Sequence, residues 1–134
     1  VRIVIDINVL ISAIFWTGKP KQLLNKVRNK KVTFLTSKDL LHELKEILVR
    51  KDKPFKLSEG EADRVVTATW GLAEIIQTHS KVTSCQDERD NQVIECAVDG
   101  GVEFIISGDI HLLELKSFKW VKIISVSDFL VEGL

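Results

Sequence analysis

Short β-branched runs that stop abruptly at a polar residue alternate along this chain with stretches of helical period, and this constrains the fold more than any other feature. Arg2-Ile3-Val4-Ile5 ends at Asp6, and Val32-Thr33-Phe34-Leu35 ends before Thr36-Ser37. Phe104-Ile105-Ile106 precedes Ser107-Gly108-Asp109, Val121-Lys122-Ile123-Ile124 precedes Ser125, and Ala73-Glu74-Ile75-Ile76 reads as a fifth strand. Between them lie helical spacings: Leu23, Leu24, Val27; Leu40, Leu41, Leu44, Ile47, Leu48; Ala62, Val65, Val66, Thr69; and Val93, Ile94, Ala97, Val98. Each right-handed crossover returns the chain to the same end of the sheet. The pattern therefore predicts an α/β fold, a parallel sheet with helices on both faces. Ligands of such sheets bind beyond the carboxyl ends of the strands.

Punctuation agrees with this reading. Thr36-x-x-Asp39, Ser58-x-x-Glu61 and Ser125-x-x-Asp128 signal helix starts, Gly71 and Gly100-Gly101 signal stops, and Pro20 suits a first helical turn. With 134 residues, 45% of them hydrophobic and 28% charged, the chain can bury a core without disulfides or a structural metal. One domain over residues 1–134 is expected, and disorder, collagen and coiled coil are excluded. Cys85 and Cys96 lack the spacing of a zinc site and read as free thiols. No apolar run approaches the ~20 residues of a membrane span and no leader precedes Val1, so a cytoplasmic protein is expected. Val1 already reads as the onset of a strand, so residues are expected to precede it.

The formal net charge is zero, yet residues 1–56 hold 13 Lys+Arg against 5 Asp+Glu, and residues 57–134 hold 6 against 14. The cations concentrate at Lys19, Lys21, Lys26, Arg28, Lys30 and Lys31, then at Arg50, Lys51, Lys53 and Lys56. That density suits a surface contacting phosphates; it equally suits a solvated helix face with lysine-rich loops.

Acids stand where the strands end. Asp6 follows the first strand directly and Asp109 follows the Phe104 strand after two residues. Asp90 opens the helix carrying Val93 and Ala97, and Glu43 lies early in the helix after the second strand. Four carboxylates are thereby expected in one crevice. Two like charges ~5 Å apart repel by about 3 kcal/mol at an effective dielectric of 20, so the cluster requires protons or cations. All-oxygen donors suit Mg²⁺ or Mn²⁺, two of which activate water and stabilise the leaving oxygen of a phosphodiester. Each acid also has a plain structural role open to it: a helix cap for Asp6, a helix-start acid for Asp90, a solvated helix residue for Glu43 and an Asx turn for Asp109.

In these residues the chain resembles the PIN-domain ribonucleases, many of which are toxins of prokaryotic toxin-antitoxin pairs. The family's strand followed by Asp-x-Asn/Ser/Thr matches Ile3-Val4-Ile5-Asp6-Ile7-Asn8, and its acid on the helix after strand two matches Glu43. Its helix-opening Asp, with a small residue seven positions on, matches Asp90 with Ala97, and its Thr/Ser-x-Asp matches Ser107-Gly108-Asp109. The resemblance implies a three-layer sandwich around a parallel sheet of about five strands. It further implies Mg²⁺ or Mn²⁺ as cofactor and hydrolysis of RNA phosphodiesters, with a cognate antitoxin and a homodimer as expected partners. It casts Asp6 and Asp109 as main metal ligands, Asp90 and Glu43 as completing the site, and Asn8 and Ser107 as hydrogen-bonding supports for Asp6 and the substrate phosphate. Many relatives carry a further acid where this chain has His111, which is expected to stand at the rim. Asp87 competes with Asp90 for the third position but lacks the Ala97 spacing. RNA is expected to approach over Lys19, Lys21, Lys26, Arg28, Lys30 and Lys31, because the connection between strands one and two is expected to leave and re-enter near Asp6 and Glu43.

Other signals carry less. His42-Glu43-Leu44-Lys45-Glu46 lacks the second imidazole of a zinc protease, and no phosphate-cradling glycine loop or nucleophile elbow occurs. Phe15-Trp16 either packs in the core or stacks on a base or partner. The alternative enzyme is a haloacid-dehalogenase-like phosphatase with Asp6 as nucleophile, weakened by Asn8 where that class carries a second acid. A binding module whose acids no longer hold metal is the non-enzymatic alternative.

Overall fold

The computed structural model describes residues 1–50 and 53–132. Six strands occur among the described residues: β1 (Arg2–Ile5), β2 (Thr33–Ser37), β3 (Glu74–Ile76), β4 (Phe104–Ile106), β5 (Ser117–Phe118) and β6 (Val121–Ile124). They form one sheet in the order β3-β2-β1-β4-β6-β5. The five expected strands are parallel, and β5 adds a short antiparallel edge against β6. Two residues are too few to show an alternating pattern, so β5 escaped the sequence reading.

Seven helices are described: α1 (Ile7–Phe15), α2 (Lys19–Arg28), α3 (Lys38–Leu48), α4 (Glu59–Leu72), α5 (Glu88–Gly100), α6 (Ile110–Leu115) and α7 (Val126–Glu132). In β1, Ile3 pairs with Phe34 and Phe104, and Val4 pairs with Leu35 and Ile105. All six are buried or half-buried, as strands covered on both faces must be. Leu35 faces α5, where a Cβ added at Gly100 would stand 2.7 Å from its Cδ2. The other face receives α7, whose Phe129 meets Phe104 edge to face.

Helix starts follow the expected caps with one shift. Ser58 and Glu61 form a reciprocal capping box on α4, and Ser125 Oγ accepts from Asp128 N at 3.1 Å. The cap of α3 is Ser37, accepting from Leu40 N, one residue beyond the expected Thr36 because β2 runs on to Ser37. α4 likewise continues through Gly71 to Leu72, while Gly101, at φ 63°, ends α5 as expected.

Parallel pairing decides which end of each connection meets the acids. Asp6 N donates to Ile106 O at 2.9 Å, fixing the first acid at the carboxyl edge of β1 beside the end of β4. α3 and α6 begin at that edge, straight after β2 and just after β4, whereas β2 itself begins at the opposite edge, where Thr33 N donates to Val1 O at 2.8 Å.

Candidate active site

Asp6 occupies the N-cap position of α1 but makes no side-chain cap bond. Its carboxylate, buried at 9% exposure, instead accepts from Ser107 Oγ at 2.8 Å. Ser107, fully buried, accepts in turn from Asp109 N at 3.0 Å and so links the acids that follow β1 and β4. Burial pushes the Asp6 carboxyl above its ordinary value, opposed by the Ser107 hydroxyl and the N–H groups of Ile7 and Asn8 and reinforced by the charge of Asp109. Among the described residues no bond joins the Asn8 side chain to Asp6. Asn8 is exposed, and its backbone N–H bears on Asp6.

Glu43 reaches the same crevice from α3. Burial raises its carboxyl to about 7; Arg89 opposes the shift, and Asp6, Asp87 and Asp90 add to it. Its Oε1 lies 3.8 Å from Arg89 Nη1, and its Oε2 is buried with no hydrogen-bond partner among the described residues. Asp90, in the first turn of α5, is raised to about 6, by burial first and then by the charges of Asp109, Asp87 and Asp6, with His111 opposing. Asp87 is exposed and caps α5 by accepting from Arg89 N at 2.9 Å. Asp109 caps α6, accepting from His111 N at 2.9 Å, so the Asx role weighed for it is real and leaves its second oxygen for the crevice.

The four acids feel one another's charge, but their convergence is looser than four carboxylates in one crevice suggested. Among the described residues no three Asp, Glu, His or Cys side chains are gathered tightly enough to hold a metal ion as they stand. Like-charge repulsion and the commitments of Asp6 to Ser107 and Asp109 to His111 account for the spacing. The donor set nevertheless fits a hard divalent cation: every donor is a carboxylate oxygen, and the orphaned Glu43 Oε2 lacks only a positive partner.

Two clefts flank the acids, on either side of the start of α5. One, of about 440 Å³, runs between α3 and α5 past Glu43, Glu46, Arg50 and Arg89. The other, of about 450 Å³, holds Asp90, Asp87, Cys85 and the exposed His111. Two residues escaped the sequence reading. Arg89, signalled only as a cation beside the third acid, stands between Glu43 and Asp87. Asn91 is buried and clamps the preceding loop, its Oδ1 accepting from Cys85 N at 2.9 Å and its Nδ2 donating to Cys85 O at 3.0 Å.

Lys30 and Lys31 of the β1–β2 connection are placed differently from the expectation, while Lys19 reaches the start of α7 at the carboxyl edge. The connection leaves near Asp6 but re-enters at the opposite edge, so Lys30 and Lys31, just before β2, stand a strand's length (about 13 Å) from the acids. Lys19 Nζ donates to Ser127 Oγ at 3.2 Å and Lys21 Nζ to Ile14 O at 3.1 Å. Lys26 lines a shallow hollow on α2 with Lys31, and Arg28 borders the apolar hollow between α2 and α4. Lys51 lies outside the described residues. No described helix is long and apolar enough to cross a membrane.

A family model described as PIN domain matches residues 2–111, a span containing all four acids and Ser107. The uncharacterized protein MJ1680 of Methanocaldococcus jannaschii is 31% identical over 126 residues, covering 92% of this chain and 81% of the relative. Strand order, acid placement and this match agree, and the chain belongs to the PIN-domain family, whose members are generally metal-dependent nucleases.

Proposed function

We propose that the protein is an endoribonuclease that hydrolyses RNA phosphodiesters with Mg²⁺ or Mn²⁺, and that Asp6, Glu43, Asp90 and Asp109 form its catalytic site. The observation that carries this is the Glu43–Asp90 pair: two carboxyls held near 7 and 6 beside two further acids, one with an orphaned oxygen. Near neutrality such a cluster holds either protons or a cation among its oxygens, and a divalent cation would take the place of the protons that Glu43 and Asp90 retain. Asp6 and Asp109 would be the main ligands, Asp90 would hold a second ion directly or through water, and Glu43 would complete the shell. The metal's contribution when bound is to lower the pKa of water and to stabilise charge on the leaving oxygen. Ser107 holds Asp6 in its orientation through the 2.8 Å bond.

A labelled single-stranded RNA and a phosphomonoester, each incubated with and without Mn²⁺, test this reading. Manganese-dependent cleavage of the RNA alone, abolished by Asp6→Asn with the fold intact, is the expected result. Turnover of the monoester would support the phosphatase, and no turnover of either substrate the binding module. The toxin role and the homodimer rest on the family resemblance. A small reading frame beside this one, whose product suppresses the cleavage, would establish the toxin, and sedimentation at low concentration tests the dimer.

A further inference from the structure

Trp16 separates itself from Trp70, which lies near the end of α4, and from Trp120 by where it stands. Trp120 lies at the start of β6, on the edge opposite the acids, with its indole N–H committed to Val102 O at 3.1 Å. Trp16 closes α1, the helix that begins directly after Asp6, and is 48% exposed. It is not loose. Its ring meets Phe15 edge-on at 6.1 Å and Phe55 at 6.4 Å, and Phe15 and Phe55 stack at 5.4 Å. The core and stacking roles weighed for this pair are thus divided: Phe15 packs, and Trp16 keeps about half of its surface in solvent.

Phe55 belongs to the connection between α3 and α4, which carries Arg50, Lys53 and Lys56. Arg50 also lines the cleft that passes Glu43 and Arg89. Nine helical residues at 1.5 Å place Trp16 about 14 Å from Asp6, roughly four nucleotides of a stacked strand at 3.4 Å per phosphate and fewer if it is extended. A pre-braced aromatic face beside several cations is what single-strand binding sites use: the ring stacks on a base of any identity and the cations take the flanking phosphates.

We propose that Trp16 is a stacking platform for a base of single-stranded RNA a few nucleotides from the scissile bond, with Arg50, Lys53 and Lys56 contacting the adjoining phosphates. The choice of RNA as ligand rests on the proposed nuclease reading, and the site would make the enzyme prefer unpaired substrate. Duplex bases are already stacked on one another and cannot use the platform.

Binding is measured on the Asp6→Asn chain with Mn²⁺, so that the RNA stays whole, using a fluorescein-labelled single strand of about twelve nucleotides and its duplex. Trp16→Ala should weaken single-strand binding about tenfold, Trp16→Phe should restore it to within about threefold, and duplex binding should not change. Lys53→Gln with Lys56→Gln should lower the salt slope for the single strand by about 1.4, at ~0.7 per phosphate contact. If Trp16→Ala unfolds the chain, Trp70→Phe with Trp120→Phe leaves Trp16 as the sole emitter, whose fluorescence should be quenched by the single strand. Unchanged single-strand affinity in a folded Trp16→Ala chain, or no quenching, would overturn the platform and leave the face to a protein partner. Equal weakening of single strand and duplex would overturn it too. Cleavage by the otherwise unaltered chain with KM unaffected by Trp16→Ala would sink the platform alone, whereas Trp16-dependent binding without any cleavage would sink the nuclease reading alone.

Discussion

Replacing Glu43 by Gln should make the metal-free protein more stable while removing its metal-dependent activity. Glu43 titrates near 7 in the folded chain, against an ordinary glutamate value of 4.5. Between those values the folded state holds a proton that the unfolded state has lost, so stability falls as pH rises through the interval and stays low above 7. A shift of this size corresponds to about 3 kcal/mol in a dry site; solvent on the open side of the crevice reduces it to about 2 kcal/mol. Gln is nearly isosteric and carries no charge, so at pH 8 in EDTA the variant escapes that cost. With an unfolding entropy of ~2.1 cal/mol/K per residue, 2 kcal/mol raises Tm by about 7 °C in a chain of 134 residues. At pH 5, where the folded parent's carboxyl is protonated but the unfolded one is largely ionised, the difference should shrink to about 2 °C, and it should vanish only below pH 4.5. Manganese should invert the order, because the parent gains about 2.7 kcal/mol at a hundredfold excess over Kd and the variant gains less. Differential scanning fluorimetry across pH 5–8, with EDTA and with Mn²⁺, reads all of this. A variant that melts below its parent at pH 8 in EDTA would refute the argument from repulsion, and one that keeps full manganese-dependent cleavage would remove Glu43 from the site.

The remaining predictions address register, loop, packing and approach. Asp90→Asn should lower cleavage more than a hundredfold and Asp87→Asn less than threefold, since Asn still caps α5; equal losses would exchange their roles. Asn91→Ala leaves the N–H and C=O of Cys85 unpaired and should cost about 2 kcal/mol in urea melts, with faster hydrogen exchange at the Cys85 amide. Gly100→Ala puts a Cβ 2.7 Å from Leu35 Cδ2 in a filled core, so it should destabilise by about 1–2 kcal/mol despite alanine's better helix propensity, and a stabilised variant would show that the sheet can yield there. Reversing Lys26, Arg28 and Lys30 to Glu should flatten the salt dependence of RNA binding less than Lys53→Gln with Lys56→Gln does. A larger effect of the α2 reversal would move the approach path onto α2.

The elements legible in the sequence are those whose surroundings impose a period. β1, β2, β4 and β6 are short apolar runs cut by polar residues, and α3 presents Leu40, Leu44, Ile47 and Leu48 to the core at helical spacing. α1 shows none, because Ile7, Val9, Leu10, Ile11 and Ala13 are all buried. A helix packed almost all round looks, residue by residue, like a β-branched strand. The charge of the β1–β2 connection was legible but its position was not. Where it re-enters follows from parallel pairing, which sends each crossover back to the amino edge, and so from the fold as a whole.

The acids show the same division. Asp6, Asp109 and Ser107 are fixed by strand ends, and a strand end can be read within a residue or two; their mutual bonds, Ser107 Oγ to Asp6 and Asp109 N to Ser107, follow once β1 and β4 are known to be neighbours. Glu43 and Asp90 depend instead on helix rotation, where an error of one residue turns a side chain by ~100° and out of the crevice. The shift of the α3 cap from Thr36 to Ser37 is an error of that size in the helix start. Glu43 survived it because the core stripe of Leu40, Leu44 and Ile47, not the cap, sets the rotation of α3. Arg89 has no such anchor: it is exposed, joined among the described residues to Glu43 and Asp87 by ion pairs of 3.8 and 3.7 Å, and placed by charges that exist only after the acids have been assembled. Groups positioned by covalent geometry and core packing are therefore readable from the chain alone, while groups positioned by the field of other side chains are not. In this protein the second kind includes Arg89, the cation paired with Glu43.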